Sequence, residues 1–571
     1  MKEKYSKFSI ETASEEDRKE IYKLRYLVYA KELQQHLEND HEILTDSLDK
    51  NNTYLVIKVK NEICGFISIT ANHSNIFSLD KYFERKNIPV PFDETLFEIR
   101  LLTVTKKFRN SITALLLMYA AKRFVESHGG KHVIAICRKE IMKFYEKAGL
   151  QTLHQDITSG KVVYELAIAT IDHLNQLIIG DYKKYQNIND KIDWKLSFSF
   201  FPPSSCYHGG AFFKAIGEEF DHLDEKGEII NADVLDAWFS PSPKVIKAIK
   251  KDLQWILKTS PPIHAEGLIN AIAKNRGVKK SSILTGAGSS DLIFLALPHF
   301  LSSSSSILIL NPCYGEYSFV LENIIHCNFE TFNLEKTENY EINSKKLMHE
   351  IKKGYDMIIL VNPNNPTGVH FPKEKFIEIL QQVPTKTLVW IDETYIEYIG
   401  KTESLEKFAS VSENIIVCKS MSKVYALSGA RIAYLCCSPH LIESLKLKTP
   451  PWAVSLPAQI AAISALEDEE YYVKKYKESH KLRRWLKQKL MQLGILDIHE
   501  GKTNSILFFL PQETFTSEQF LDECKTYKLY LREFKNIKNE LGMTAIRVAI
   551  KNKQVNKKII EIIENILSKS K

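Results

Sequence analysis

Apolar and polar positions follow two different rhythms along this chain. In the first third, Ile21, Leu24, Leu27 and Val28 recur at helical spacing and predict an amphipathic helix over residues 15 to 35. Two apolar runs follow, Tyr54-Leu-Val-Ile-Lys-Val59 and Ile63-Cys-Gly-Phe-Ile-Ser-Ile69, and the short break Lys60-Asn-Glu62 between them predicts a hairpin. The pattern then predicts a strand at Phe97 to Val104, a helix at about 111 to 127, a strand at His132 to Ile136, a helix at 139 to 148 and a strand at 161 to 168. Further on, the rhythm changes to short, wholly apolar runs that end in polar punctuation: Ile307-Leu-Ile-Leu310, Met357-Ile-Ile-Leu-Val361, Leu388-Val-Trp-Ile391 and Ile415-Ile-Val417. Such runs predict strands buried on both faces of a parallel sheet.

Between the two rhythms lie the polar segment beginning Tyr182-Lys-Lys-Tyr-Gln-Asn and the turn-forming Phe201-Pro-Pro-Ser-Ser-Cys206. The expected organisation is a domain over 1–170, a linker over 171–204 and a second domain over 205–571. Ser302 to Ser306 reads as a loop before the strand at Ile307.

Composition narrows the class. With 44% hydrophobic and 26% charged residues the chain reads as globular. No run approaches the ~18 apolar residues of a membrane helix, and Met-Lys-Glu-Lys-Tyr-Ser-Lys at the start lacks a signal-peptide core. A net charge of +7 is too dilute to argue for nucleic acid, and the lysines from Lys551 to Lys558 read as solvated helix ends. Nine scattered cysteines without Cys-x-x-Cys fit reduced thiols in a cytoplasmic protein, with Cys436-Cys437 as packing residues. Histidines and acids show no zinc-ligand spacing, so no metal is expected.

The candidate chemistry sits at the ends of the apolar runs. Asn362-Pro-Asn-Asn-Pro-Thr-Gly368 follows one, Asp392-Glu-Thr-Tyr395 the next, and Cys418-Lys-Ser-Met-Ser-Lys-Val-Tyr-Ala-Leu-Ser-Gly-Ala-Arg431 the third. Alone, Lys423 reads as a surface lysine, Asp392 as a helix N-cap and Asn365-Pro-Thr-Gly368 as a turn. Together they put an amide, an acid and a lysine at one edge of a parallel sheet, where open α/β sheets hold ligands.

This ordered set resembles the fold-type I pyridoxal 5'-phosphate (PLP) enzymes, in particular the histidinol-phosphate aminotransferase and threonine-phosphate decarboxylase group, over roughly residues 205 to 565. The resemblance implies an α/β fold with a large αβα domain around a mostly parallel sheet and a small C-terminal α+β domain (small lobe roughly 205–250 and 450–571). It implies that Lys423 forms the Schiff base with PLP and moves the substrate Cα proton. Asp392 would pair with the pyridinium nitrogen, and Asn365 with Tyr395 would bond the ring 3-oxygen. Arg431, Ser420 and Ser422 would hold the phosphate, opposite the Ser289 and Ser290 amides that follow the glycine turn Leu284-Thr-Gly-Ala-Gly. Tyr314 would stack on the ring, and Arg547 in Ile546-Arg-Val-Ala-Ile550 would grip the substrate carboxylate. Arg532 matches an arginine that reaches a distal phosphate, and equally reads as a surface salt-bridge residue. Tyr207-His-Gly-Gly210 and Pro451-Trp452 resemble threonine-phosphate decarboxylases. Leu235-Asp-Ala-Trp-Phe-Ser-Pro241 departs from the group's Asn-Glu-Asn-Pro, and Ser260 stands where its tyrosine is expected, which points away from both named substrates.

The N-terminal order of elements resembles the GNAT acyltransferase fold, an α+β domain. Glu98-Ile-Arg-Leu-Leu-Thr-Val104 and Lys23-Leu-Arg-Tyr-Leu-Val-Tyr29 are similar to its acyl-homoserine-lactone synthase and N-acyl amino acid synthase branch. That likeness implies Glu98 as general base and Tyr145 as proton donor to the leaving thiolate. The structural alternatives are an acid beside Arg100 and a core-edge tyrosine. The cofactor loop departs from the family: Phe108-Arg-Asn-Ser-Ile-Thr-Ala114 has no glycine, although Arg109 can still meet a phosphate. Either an acyl carrier protein thioester replaces acyl-CoA, or the domain binds without catalysing.

The expectation is therefore a two-part enzyme. A GNAT-like N-acyltransferase is fused to a PLP-dependent aminotransferase acting on an amino acid, with a PLP-dependent decarboxylase as the alternative. A homodimer is expected, with an acyl carrier protein as a possible partner, and neither nucleic acid nor membrane.

Overall fold

The structure is a computed structural model that describes residues 8–71, 76–180, 182–189, 191–202, 209–217, 219–511, 516–534 and 545–569. The chain divides into two compact units, residues 1–204 and 205–571.

The first unit is built on an eight-stranded sheet. Its strands are β1 (Phe8–Thr12), β2 (Asn52–Val59), β3 (Glu62–Ala71), β4 (Leu96–Val104), β5 (His132–Arg138), β6 (Gln151–Ser159), β7 (Val162–Thr170) and β8 (Ile192–Trp194), in the order β6-β7-β5-β4-β3-β2-β1-β8. The β2–β3 hairpin turns on Lys60 and Asn61, both at positive φ, the twist that a tight two-residue turn needs. The expected long first helix is an α-helix, Glu15–Arg25, that continues as a π-helical turn, Tyr26–Glu32. The helix Thr113–Ser127 buries Leu116, Leu117, Ala120, Ala121 and Val125 in the core.

One strand pair gives this sheet its opening. β4 and β5 run parallel and pair only from Leu96↔His132 to Ile99↔Ala135, although β4 continues to Val104 and β5 to Arg138. A register shift between β3 and β4 and a positive φ at Leu101 mark a bulge, which bends and twists β4 just where the pairing ends.

Residues 171–204, read from sequence as a linker, build onto this unit. Ile171–Gly180 and Tyr182–Asn189 are helical, and β8 joins the sheet beside β1. Ile171, Leu174, Ile188 and Ile192 are buried, which is enough to dock a stretch whose other face is polar. The edge strand β6 alternates between half-buried and exposed positions, so its polarity hid it in the sequence.

The second unit opens with the short strand β9 (Ile230–Asn231) and holds a seven-stranded sheet. This comprises β10 (Ile283–Gly286), β11 (Ile307–Asn311), β12 (Phe329–Asn333), β13 (Met357–Val361), β14 (Leu388–Asp392), β15 (Ile415–Ser420) and β16 (Ala433–Cys437), ordered β10-β16-β15-β14-β13-β11-β12. β16 alone runs against its neighbours. Core clusters lie on both faces, which is why β13, β15 and β16 are buried at every position; β13 and β16 read as apolar runs throughout, and β15 as far as Cys418, before its buried Lys419 and Ser420. Cys436 and Cys437 are fully buried on β16 as packing residues. A second sheet, antiparallel, takes β17 (Ile498–His499), β18 (Ser505–Phe509), β20 (Arg532–Glu533) and β21 (Ala545–Ala549), while β19 (Leu529–Tyr530) pairs with β9. No helix among the described residues is long and apolar enough to cross a membrane.

Candidate active site

Parallel register brings three strand ends together in the second unit. Val361 pairs with Asp392 and Asp392 with Cys418, so the loops after β13, β14 and β15 leave the sheet at the same edge. Asp392 is buried there. It accepts hydrogen bonds from Tyr317 Oη at 2.8 Å and Thr394 N at 2.9 Å, and Trp390 Nε1 in turn donates to Tyr317 Oη at 2.9 Å. Burial pushes its carboxyl up, against these bonds.

Asn365, after β13, meets Arg547 from β21. Arg547 Nη1 donates to Asn365 Oδ1 at 2.7 Å and Nη2 to Asp233 O at 2.8 Å, while Nε is buried without a hydrogen-bond partner. Burial lowers this guanidinium to about 10; Tyr395 opposes the lowering and Arg532 adds to it. Arg532 stands directly opposite Arg547 in the β20–β21 pair, with Nη1 at 3.7 Å from Asp233 Oδ1. Tyr395 is buried, and the charges that act on its phenol are Arg547, Asp392 and Asp236. Tyr314 bonds Glu316, and its ring lies edge-on to Tyr317 at 6.0 Å.

At the far side, the helix Ser289–Phe300 begins after Gly288. A Cβ at Gly288 would stand 2.5 Å from Arg431 Nη2, and its φ of +98° already favours glycine. The glycine thus lets Arg431 close on the helix start, where half-buried Ser289 and Ser290 offer first-turn amides. Ser420 Oγ accepts from Ser422 N at 3.3 Å, and Ser422 Oγ is buried without a hydrogen-bond partner.

Lys423 Nζ meets Asp236 Oδ1 at 2.7 Å. Burial works to raise the Asp236 carboxyl, and the Lys423 ammonium outweighs it and holds it low. Lys551 corrects the sequence reading: it is partly buried and coupled to Asp236 and Lys423, whereas Lys553, Lys557 and Lys558 on the following helix are exposed. Burial outweighs the attraction of Asp236 and lowers its amine to about 8. Gly210 N donates to Asp233 Oδ2 at 3.0 Å; Tyr207 and His208 of the same stretch lie outside the described residues.

Sequence reasoning missed several partners. Tyr317, the anchor of Asp392, shared its loop with Tyr314 and had no separate signal. Asp236 stood in a stretch notable only for departing from a pattern. Behind the site, Lys419 Nζ lies 2.9 Å from Glu397 Oε1 and 3.5 Å from Glu393 and Glu406, and Arg276 Nη2 lies 2.6 Å from Glu397 Oε1. These five side chains are buried on separate parts of the fold. Burial raises Glu393 to about 7 against the pull of Lys419, while Glu406 stays at about 2 because Lys419 and Arg276 outweigh its burial.

In the first unit, Glu98 is fully buried and accepts from Ser78 N at 2.7 Å, Ser78 Oγ at 2.6 Å and Leu79 N at 3.0 Å. Burial raises its carboxyl, with Arg100 opposing. Tyr145 belongs to a different cluster: burial raises its phenol, and the groups acting on it are Cys137, Tyr29, Arg138 and Tyr164. Tyr29 Oη bonds Thr103 Oγ1 at 3.0 Å, at the open end of β4. Thr103 lies five residues beyond Glu98 on β4, past the bulge at Leu101, and different groups act on the Glu98 carboxyl and the Tyr145 phenol. Arg109 donates to Glu32 at 2.6 Å at the surface. An unforeseen group joins the first helix and the loop before β2 to Arg100 of β4: Arg25 Nη1 donates to Asp49 Oδ1 at 2.7 Å and Nη2 to Asp46 at 3.2 Å, Arg100 Nη2 donates to Asp46 Oδ2 at 2.7 Å, and Arg100 Nη1 is buried without a hydrogen-bond partner. No group of side chains suited to a metal ion occurs among the described residues.

Comparison with known proteins agrees with this geometry. The family model for aminotransferase class I and II matches residues 231–563, and the model for the N-acyl amino acid synthase FeeM matches residues 20–171. The histidinol-phosphate aminotransferase of Methanosphaera stadtmanae is 27% identical over 366 residues, 63% of this chain and 96% of that protein. Among solved structures, histidinol-phosphate aminotransferase from Sinorhizobium meliloti in complex with pyridoxal 5'-phosphate has a TM-score of 0.55 at 18% identity, covering 64% of this chain and 99% of that one. L-Threonine-O-3-phosphate decarboxylase from Porphyromonas gingivalis has a TM-score of 0.52 at 20% identity, covering 60% and 100%. At these identities the structural likeness shows the fold, a fold shared by aminotransferases and decarboxylases. Over more than half its length, then, the chain belongs to the aminotransferase class I and II family, and it carries an N-acyl amino acid synthase region ahead of that enzyme.

Proposed function

We propose that the second unit is a PLP-dependent aminotransferase acting on an amino acid or a compound derived from one. The observation that carries this reading is Asp392, buried at the meeting of three strand ends with hydrogen-bond donors around it and, among the described residues, no cation in ion-pair contact. A buried carboxylate is costly without a cation, and a pyridinium N–H supplies one. The residues fit the rest of the cofactor equally. Arg431, Ser289, Ser290, Ser420 and the unpartnered Ser422 hydroxyl suit a phosphate dianion, with the close approach that Gly288 permits. When bound, PLP supplies an electron sink for the bond broken at the substrate Cα.

The remaining roles belong to the chain itself. Lys423 would carry the cofactor and move the Cα proton, with Asp236 orienting its amine. Asn365 and Tyr395 would hold the ring 3-oxygen, and Tyr314 would cover the ring. Arg547 would bind the substrate carboxylate through its fork, for which its unpartnered Nε is available. Arg532, on the neighbouring strand, would meet a second anionic group of the substrate. Domain boundaries at 1–170 and 205–571 suit this division, with 171–204 attached to the first part. Exposed Trp255, Leu257, Ile263 and Trp452 support a homodimer formed through the second unit.

For the first unit we propose N-acylation of an amine or amino acid from an acyl thioester. Tyr145, near Cys137 and Arg138 at the end of β5 and near Tyr29, would protonate the leaving thiolate. The loop at Phe108 to Ala114 lacks glycine and its Arg109 is held by Glu32, which favours an acyl carrier protein thioester over acyl-CoA. Thermal-shift titration with both donors separates them.

The deciding experiment is an absorption spectrum of the full chain between about 300 and 500 nm, where a lysine-bound PLP absorbs. A visible band that Lys423→Ala abolishes, and that one amino acid converts with formation of the matching oxo acid, bears the reading out. Release of carbon dioxide and an amine makes the enzyme a decarboxylase, and no band after adding PLP overturns both.

A further inference from the structure

The end of β21 is fastened to the segment that carries Asp236. Ala549 N donates to Ala232 O at 2.9 Å, Ile550 N to Asn504 O at 2.8 Å, and Asn504 Nδ2 to Leu235 O at 2.9 Å. The next residues along the two segments are Lys551 and Asp236, which these bonds make neighbours. Asn556 locks the Lys551 backbone from the other side, accepting from its N–H at 3.0 Å and donating to its carbonyl at 2.7 Å. Asp236 Oδ1 already holds Lys423 Nζ at 2.7 Å. Lys423 therefore holds this carboxylate in an ion pair, and the charge of Lys551, from a distant part of the chain, acts on both groups. Among the described residues, the charged and titratable groups that face Asp236 are Lys423, Lys551 and the Tyr395 phenol, and the Ser428 hydroxyl bonds it.

One carboxylate cannot neutralise two ammonium ions, and the charge of Lys423 makes the proton on Lys551 less favourable. If the amine of Lys423 is taken up in binding the cofactor, Asp236 is left without that partner, and Lys551 is the cation placed to replace it. We propose that Lys551 is a positioning residue acting on the Lys423–Asp236 pair: its charge, held beside the pair by the pinned backbone, opposes that of Lys423, draws on the same carboxylate and so lets the Lys423 nitrogen release its proton more readily. A lysine that must take a proton from a substrate carbon has to be neutral beforehand. The inference rests on the reading of Lys423 as the lysine that bears PLP.

The test uses the full chain as wild type, Lys551→Met, Lys551→Arg and Asp236→Asn, with circular dichroism to confirm folding. Lys551→Gln serves the same purpose if the methionine variant does not fold. Two midpoints are read against pH: that of the visible band with PLP bound, and that of Lys423 labelling by acetic anhydride in the cofactor-free protein, followed by peptide mass spectrometry. Lys551→Met is expected to move both midpoints upward by about one pH unit, Asp236→Asn to move both downward, and Lys551→Arg to stay with the wild type. Coincident midpoints in Lys551→Met and wild type, with the band present and carried on Lys423, overturn the role of Lys551 and leave that of Lys423 standing. Absence of a band in the wild type overturns the role of Lys423, and this inference with it.

Discussion

Asn365 Oδ1 accepts a hydrogen bond from Arg547 Nη1 at 2.7 Å, which joins a loop of the large parallel sheet to a strand of the small antiparallel one. Arg547 Nη2 is taken by the Asp233 carbonyl. The guanidinium is thereby fixed in orientation from both sides, and a lysine, with a single point of charge, cannot reproduce that. Arg547→Lys is expected to lower kcat/KM for the amino-acid substrate about 100-fold, chiefly through KM. Steady-state kinetics would check this, with the PLP band unchanged as the control.

Gly288 offers a sharper test of the phosphate seat. Its φ of +98°, and the 2.5 Å that would separate an added Cβ from Arg431 Nη2, leave no room for alanine unless Arg431 withdraws. Gly288→Ala is expected to weaken PLP binding at least about tenfold, the loss of one charge-assisted bond. Fluorescence titration of the cofactor-free protein reads it directly.

The buried network behind the site predicts a pH signature. Glu393 has an ordinary value of 4.5 and is raised to about 7 in the fold. The folded chain therefore binds more protons there than the unfolded chain between those values, and stability falls as pH rises through that window. Glu406, held at about 2, acts oppositely: its contribution is present above 4.5 and is lost as pH falls towards its folded value. Glu393→Gln removes only the first effect. Its melting temperature relative to wild type is expected to be higher at about pH 8 than at about pH 5, read by parallel thermal scans.

In the first unit, structural and chemical roles separate between two residues. Glu98 satisfies three donors at Ser78 and Leu79, so Glu98→Ala leaves buried donors unmet. It is expected to destabilise by about 1–3 kcal/mol and to lower the melting temperature by about 4 °C or more. Tyr145→Phe is expected to leave the melting temperature within about 1 °C and to lower acyl transfer about 100-fold. A thiol-release assay beside a thermal scan distinguishes the two.

Much of this protein was legible without coordinates, because the relevant physics is local. Strands buried on both faces must be apolar throughout, and Met357 to Val361, Leu388 to Ile391 and Ile415 to Val417 announced themselves as such. Parallel pairing then forces their following loops to one edge, so Asn365, Asp392 and Lys423 could be grouped from order alone. The hairpin at Lys60 and Asn61 was equally local.

The remainder needed three dimensions. The edge strand β6 and the segment 171–204 have polar outer faces, and only packing shows that their few apolar residues suffice to dock them. Glu98 and Tyr145 share a family pattern, yet only the fold shows that Glu98 is taken up by Ser78 and Leu79 while Cys137, Tyr29 and Tyr164 surround Tyr145. Arg276, Glu393, Glu397, Glu406 and Lys419 are ordinary letters until burial obliges them to pair. Lys551 shows the division best. Among other lysines near a helix start, its letter says solvent, because a charge on the surface keeps its water. Hydrogen bonds from β21 to Ala232 and Asn504 carry it instead to Asp236, 315 positions earlier in the chain by number, where the same charge bears on Lys423. Periodicity and motif order determine which elements form and which chemistry is available; long-range contacts decide which charges must share a site.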